Sequence, residues 1–500
     1  MMDRRTVLAL MAAATLPVGP ARAQQTQAFS RDWLIQHARQ KSQENYIARP
    51  LIPEGWRTLD YDLFQHIWFN EKKAIWNGTD RPLKLDLFTA GLYVERPTTI
   101  HLVEDGEARA LPYDLSLFDT TADFPDLPVD DTMGYAGLRM RAELKQPGIF
   151  EEFVVFQGAS YFRAIGNGQA YGISARGLAL RTADPAGEEF PDFTDFWVEA
   201  PEPGATSFVV HALLDSPSVT GAYQFIITHG DTTRMQVAAT LFPRVDLTHV
   251  GLGALTSMFL FDETNRHRFD DFRPAVHDSE GLLIVNGNGE RIWRPLANPK
   301  NVEISAFIDK DPQGFGLMQR DRDPESFADL EAHYEARPSL WITPGDNWGE
   351  GAVELIEIPA DREIYDNIVA YWRPRTPMIA GERQDFAYQM EWGSDPDGLP
   401  DVARVINTRV GKGFDQIKTV FAIDFAPHPD LEGPFDDLTV ILRGSAGEVS
   451  PSVLQHNPGT GGLRLNFSIL PGDAKLVELR AQILKDGQRL TEVWLYRWTA

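Results

Sequence analysis

The sequence predicts an all-β protein made of two sandwiches, a large one followed by a small one. Three observations carry this. From about Tyr61 the chain is a succession of short apolar runs, rich in β-branched and aromatic residues and punctuated by Gly, Pro, Asn and Asp. The stretch Gly393-Ser394-Asp395-Pro396-Asp397-Gly398-Leu399-Pro400 is polar and full of chain breakers, as a linker is. Beyond it, strand-like runs centre on Val405, Phe421, Leu438, Val453, Leu463, Val477 and Val493. Their number and spacing suit an immunoglobulin-like β-sandwich of about 100 residues. The expected division is a leader at 1–23, a large domain at 24–393, a linker at 394–403 and a small domain at 404–500.

The elements follow in order. Asp3-Arg4-Arg5-Thr6-Val7-Leu8 is a twin-arginine pattern, residues 7–18 are mainly apolar, and Ala21-Arg22-Ala23 is a cleavage site before Gln24. Together they predict export of a folded protein to a bacterial periplasm. Ser30 reads as the N-cap of a helix through Trp33, Leu34, His37, Ala38 and Lys41. Residues 207–214, 223–228 and 235–241 read as successive antiparallel strands. Within 272–295, FRPAVHDSEGLLIVNGNGERIWRP, residues 282–285 read as a buried strand, Asn286-Gly287-Asn288-Gly289 as a reversal and 291–293 as the returning strand. A helical island is expected over 324–334, with Phe327, Leu330 and Tyr334 on one face. In the small domain, Leu463, Leu465, Phe467 and Ile469 alternate with polar residues, and Lys485-Asp486-Gly487-Gln488 makes a hairpin turn.

Composition removes several chemistries. The formal charge of −25 repels nucleic acid and anionic membrane surfaces, so neither is an expected partner, while neutral ligands remain. After the leader no apolar run approaches bilayer-spanning length. The absence of cysteine excludes disulfides, thiolate metal sites and cysteine nucleophiles. The histidines (His211, His229, His249, His267, His277, His333) lack ligand spacing, so no metal or other cofactor is expected. Asp309-Lys310-Asp311-Pro312-Gln313-Gly314 fails as a calcium loop, because Pro312 stiffens it and Arg320 stands where a bidentate Glu is needed. Gly158-Ala159-Ser160-Tyr161-Phe162 lacks the closing glycine of a nucleophile elbow.

Carboxylates and aromatics remain. Asp278 and Glu280 precede one strand, and Asp366, in Glu363-Ile364-Tyr365-Asp366-Asn367, precedes another. Trp293 and Arg291 follow the first and Trp372 the second, as candidate sugar contacts. Such tryptophans equally suit a sandwich core, as do Trp341, Trp348 and Trp392, and acids beside an Asn-Gly turn equally suit a solvated loop end. Two carboxylates brought together would supply the acid and base of glycoside hydrolysis.

The segments FRPAVHDSEGL, NGNGERIWRPLANP, GFGLMQRDRD, DLEAHYEARPSLWITP and DNIVAYWRP, with GASYFRAIG and YGISARGLAL, resemble the signature blocks of the periplasmic glucan biosynthesis proteins G and D, the MdoG/OpgG and MdoD/OpgD family. The resemblance covers nearly the whole mature chain, and the twin-arginine leader resembles the D branch. It implies a galactose-mutarotase-like large sandwich, an immunoglobulin-like small one, and work on osmoregulated periplasmic glucans with β-1,2-linked backbones. Members are grouped as glycoside hydrolase family 186, with endo-β-1,2-glucanase or transglycosylase activity. Carried over by position, Asp366 is the general acid, Asp278 the general base, and Glu363 and Tyr334 line the substrate cleft or proton route. The implied mechanism is inverting, the acid acting through a substrate hydroxyl and the base through waters. Two departures stand out: Glu280 occupies a place where a second Asp is expected, and the segment between Gly413 and Phe421 is short. The alternatives are a cyclising or branching transglycosylase and a non-catalytic glucan-binding assembly protein. A homodimer and contact with the glucan synthesis machinery are the implied partnerships.

Overall fold

The computed structural model describes residues 26–345 and 347–500; the leader read at 1–23 lies outside them. The described chain is almost wholly β, arranged as two long sheets, a smaller five-stranded one and two two-stranded ladders. The longest runs from the N-terminal edge through Phe208–Asp215, Val219–Thr228, Thr233–Pro243 and Gln384–Gly393 to Ser339–Pro344, Gly314–Met318, Gly281–Val285 and Arg291–Pro295. The second is ordered Glu303–Lys310, Glu350–Glu357, Ile368–Pro374, Val250–Ser257, Ser174–Arg176, Tyr161–Ala164, Phe150–Gln157, Tyr135–Glu143 and Leu83–Thr89. Each strand's alternate residues face the other sheet. Phe156 and Phe162 of the second sheet thereby meet Phe225 of the first, with ring centroids 5.2 and 5.1 Å apart. The side chains between them form one apolar core that also encloses Trp372 and Trp392.

Local predictions are met where backbone chemistry decides them. The helix spans Arg31–Ser42, and the Ser30 hydroxyl accepts from Trp33 N–H at 3.1 Å. The three predicted strands form a consecutive antiparallel set, and the Asn286–Gly289 reversal joins Gly281–Val285 to Arg291–Pro295. Asp486 and Gly487 both have positive φ, as the hairpin turn requires. Residues 324–334 are not a helix. They form two single turns, Pro324–Ser326 and Tyr334–Ala336, because Ala328 and His333 adopt left-handed φ of 54° and 47° and break the path. Phe327 and Tyr334 are buried, but Leu330 points into solvent.

All seven predicted C-terminal strands are present. Val405–Lys412, Thr419–Phe425 and Leu463–Leu470 belong to the smaller sheet, whose Phe421 and Phe467 pack edge-on against Trp494 at 5.9 Å. Trp494 lies on Val493–Thr499, which pairs in parallel with Arg291–Pro295. The longest sheet thus runs unbroken from the large unit into the small one. A buried ion cluster fixes this seam. Glu492, fully buried, takes Arg320 at 2.7 and 2.9 Å, Arg291 at 2.6 Å and the Val405 N–H at 2.8 Å. The Arg320 guanidinium lies 3.8 Å over the Trp293 ring.

Glu492→Ala leaves two arginines without their buried counter-charge, and the expected cost is about 3–5 kcal/mol of unfolding free energy by urea denaturation. A second expectation concerns pH. Desolvation pushes the Glu280 carboxyl to about 8 and that of Asp262 to about 7. The folded chain therefore keeps protons that the unfolded chain releases, so stability falls as pH rises from near 4.5 towards 8. Glu280→Gln flattens the melting temperature across that window.

Candidate active site

The site is built on one two-residue stretch, Met258-Phe259, at the end of Val250–Ser257. The Asp278 N–H donates to the Met258 carbonyl at 2.8 Å, and His277 pairs with Phe259 across a short ladder. From the other side, Ile368–Pro374 pairs with Val250–Ser257 as far as Ser257 opposite Ile368. There Asn367 takes over with its side chain: Oδ1 accepts from Phe259 N–H at 2.8 Å, and Nδ2 donates to the Phe259 and Ile358 carbonyls at 2.9 and 3.0 Å. A side-chain amide thus completes the pairing and frees the main chain to turn and present Asp366. Both aspartates hang from the same stretch of backbone.

Their environments differ. Asp278 is buried and ion-paired to Arg337. Desolvation raises its carboxyl to about 6 against the pull of Arg337, and the negative charge of Asp366 raises it further. Asp366 is open to water at the cleft mouth. Enough protein surrounds it for desolvation to raise its pKa, while Arg163, Arg176 and Arg337 pull it back.

Tyr334 and Glu363 join the same network. The Tyr334 hydroxyl donates to Glu363 Oε2 at 3.1 Å, and Arg273 holds that carboxylate at 2.7 Å and Asp329 at 2.7 Å. Arg337 lies 4.3 Å over the Tyr334 ring, linking the Glu363 end to Asp278. Gln319 braces both sides, accepting from His277 Nδ1–H at 2.9 Å and donating to the Tyr334 carbonyl at 3.0 Å. His277 faces inward and burial lowers it to about 4, so it stays neutral.

Four predicted residues (Asp278, Asp366, Glu363 and Tyr334) therefore share one network of contacts and charges, and three do not. Trp372 is wholly inside the core between the sheets. Trp293 and Arg291 are buried at the seam with the small unit, one under Arg320 and the other on Glu492. None of the three can meet a ligand in this cleft. Glu280 also turns to the seam, where its carboxylate accepts the Arg320 N–H at 2.8 Å. The rings near Asp366 are instead Tyr161 and exposed Phe190, 5.0 and 5.5 Å from Arg176, one of the arginines whose charge reaches Asp366. Tyr161, Arg163 and Arg176 lie within GASYFRAIG and YGISARGLAL, and strand parity could have found them: Phe162 and Ala175 face the core, so their neighbours face out. Among the described residues no group of His, Asp or Glu is placed to hold a metal ion.

Fold and site together define an all-β sandwich protein with two aspartates held together at the end of a strand of its second sheet. The family described as periplasmic glucan biosynthesis protein, MdoG, matches residues 29–498, and the chain belongs to it. A glucans biosynthesis protein G of Vibrio cholerae serotype O1 is 48% identical over 480 residues, covering 95% of this chain and 87% of its own. One from Shewanella frigidimarina is 48% identical over 478 residues, covering 94% and 85%, and one from Shewanella baltica 47% over 480, covering 95% and 88%. These relatives carry the G name, not the D name expected from the twin-arginine pattern. A solved chondroitinase AC lyase aligns over 85% of this chain and 53% of its own with a TM-score of 0.16 and 9% identity, too little to bear on fold or function. The chain's role lies in glucan biosynthesis, and no helix among the described residues is long and apolar enough to cross a membrane.

Asn367→Ala strips two bonds from Phe259 and one from Ile358. The expected loss is about 1–3 kcal/mol for each backbone group left buried and unpaired, read by denaturant unfolding.

Proposed function

We propose that this protein works in the periplasm as an inverting endo-β-1,2-glucanase of osmoregulated glucan biosynthesis. Asp366 is the general acid and Asp278 the general base. The observation that supports this most is that both aspartates are anchored to the one dipeptide Met258-Phe259, Asp278 through its N–H and Asp366 through its neighbour Asn367, with the charge of Asp366 felt at Asp278. Inversion needs a water between base and anomeric carbon, so in this reading a water or chain of waters links Asp278 to the sugar. Arg337 keeps Asp278 able to ionise, as a base must. In the open cleft Arg163, Arg176 and Arg337 favour the charged form of Asp366, which is the wrong state for an acid. A bound glucan expels water from that carboxyl, strengthens the desolvation that raises it, and brings the hydroxyl that passes its proton on. Tyr334 and Glu363 orient the chain between them.

Two tests follow. Asp366→Asn and Asp278→Asn should each lower turnover of linear β-1,2-glucan by about a hundredfold or more while the chain stays folded; full turnover in either would remove the assignment. Because the base must be ionised, kcat/KM should fall as pH drops below about 6. Arg337→Met withdraws the charge that lowers Asp278, so that limb should move to higher pH.

A further inference from the structure

Beyond the arginines around Asp366, the outward-facing side of the second sheet continues for several strands. Across it Arg163 pairs with Val155, Val155 with Arg139, and Arg139 with Asp86, so these side chains form one outward row. The neighbouring row runs Gln157, Gly137, Phe88. At Gly137 a Cβ would meet the Phe156 carbonyl oxygen at 1.9 Å, so the floor there is bare backbone. With strands about 4.8 Å apart, Leu83–Thr89 lies three steps, roughly 14 Å, from Tyr161–Ala164.

At that far end is a depression of about 620 Å³ lined by Trp68, Asn70, Phe88, Asp119 and Arg139, among others. The strand Ile67–Phe69 buries Ile67 and Phe69, and its alternation turns Trp68 outward, leaving the indole 48% exposed. Arg139 stands 5.8 Å over the Phe88 ring and is fixed by Asp86 at 2.7 Å and Glu152 at 2.9 Å. Asn70 donates to Asp119 at 3.0 Å along the rim. A half-exposed indole beside a second ring, with a pinned guanidinium and an amide–carboxylate pair around them, suits a neutral polyhydroxylated ring: apolar faces stack and rim groups take hydroxyls. The net charge of −25 argues against an anionic occupant.

We propose that Trp68, Phe88 and Arg139 form a distal sugar subsite on the same outward side of the second sheet, stacking a pyranose ring several residues along the chain from the bond at Asp366. This rests on the glucan-processing reading above. It makes the protein select long chains over short ones, and it places Trp68 as the residue that senses length.

Calorimetric binding to the full chain carrying Asp366→Asn, with and without Trp68→Ala, tests this on size-fractionated linear β-1,2-glucan. Long chains should bind about three- to tenfold more weakly after Trp68→Ala. Fragments too short to span the face should be unaffected, and Trp68→Phe should restore most of the loss. Unchanged affinity for long chains, with the melting temperature also unchanged, would overturn the subsite alone. Absence of binding at every length would overturn the glucan reading and the subsite with it.

Discussion

The geometry of the cleft depends on one constraint: the two aspartates are held by opposite sides of the same dipeptide. Met258 takes the Asp278 backbone, and Phe259 is clasped by the Asn367 side chain. Spacing between the carboxylates is therefore set by strand pairing, which is stiff, although both residues sit where the chain leaves regular structure. Such a site can bury one charge because Arg337 accompanies it, and Arg337 is itself fixed by the Ala332 carbonyl and the Tyr334 ring. Removing any member of this set disturbs the others.

The seam with the small unit extends the same logic. Asp278 leads into Gly281–Val285, whose hairpin partner Arg291–Pro295 pairs with Val493–Thr499. Asp278 is thus joined by continuous backbone and ladder to the C-terminal sheet, and Arg320 reinforces the joint, giving its backbone N–H to Glu280 and its guanidinium to buried Glu492. The C-terminal strands are built into the same sheet that follows Asp278.

Much of this was legible in the sequence where local chemistry decides. The Ser30 cap, the Asn-Gly reversal, the Asp-Gly hairpin and the alternation at 463–469 each specify their backbone through a single mechanism. The expectation at the two aspartates came from long ordered blocks rather than periodicity, and the structure brings them to one dipeptide. Three failures have physical causes. Spacing at 324–334 imitated a helix, but left-handed residues intervene. Trp372 sits on the core-facing parity of its strand, so its closeness to Asp366 in sequence means nothing in space. Arg291 and Trp293 serve a contact between units distant in the chain, and no local pattern announces such a contact. The arginines around Asp366 were equally hidden, since Arg163, Arg176 and Arg337 come from separate elements.

The account stands or falls on whether this pair of carboxylates cleaves a β-1,2 bond with inversion. Purified protein incubated with linear β-1,2-glucan and followed by proton NMR from the first minutes answers this directly. The account predicts new reducing ends that appear first as the α-anomer and only later mutarotate. Reducing ends born as the β-anomer, or none at all while glucan binds, would contradict it.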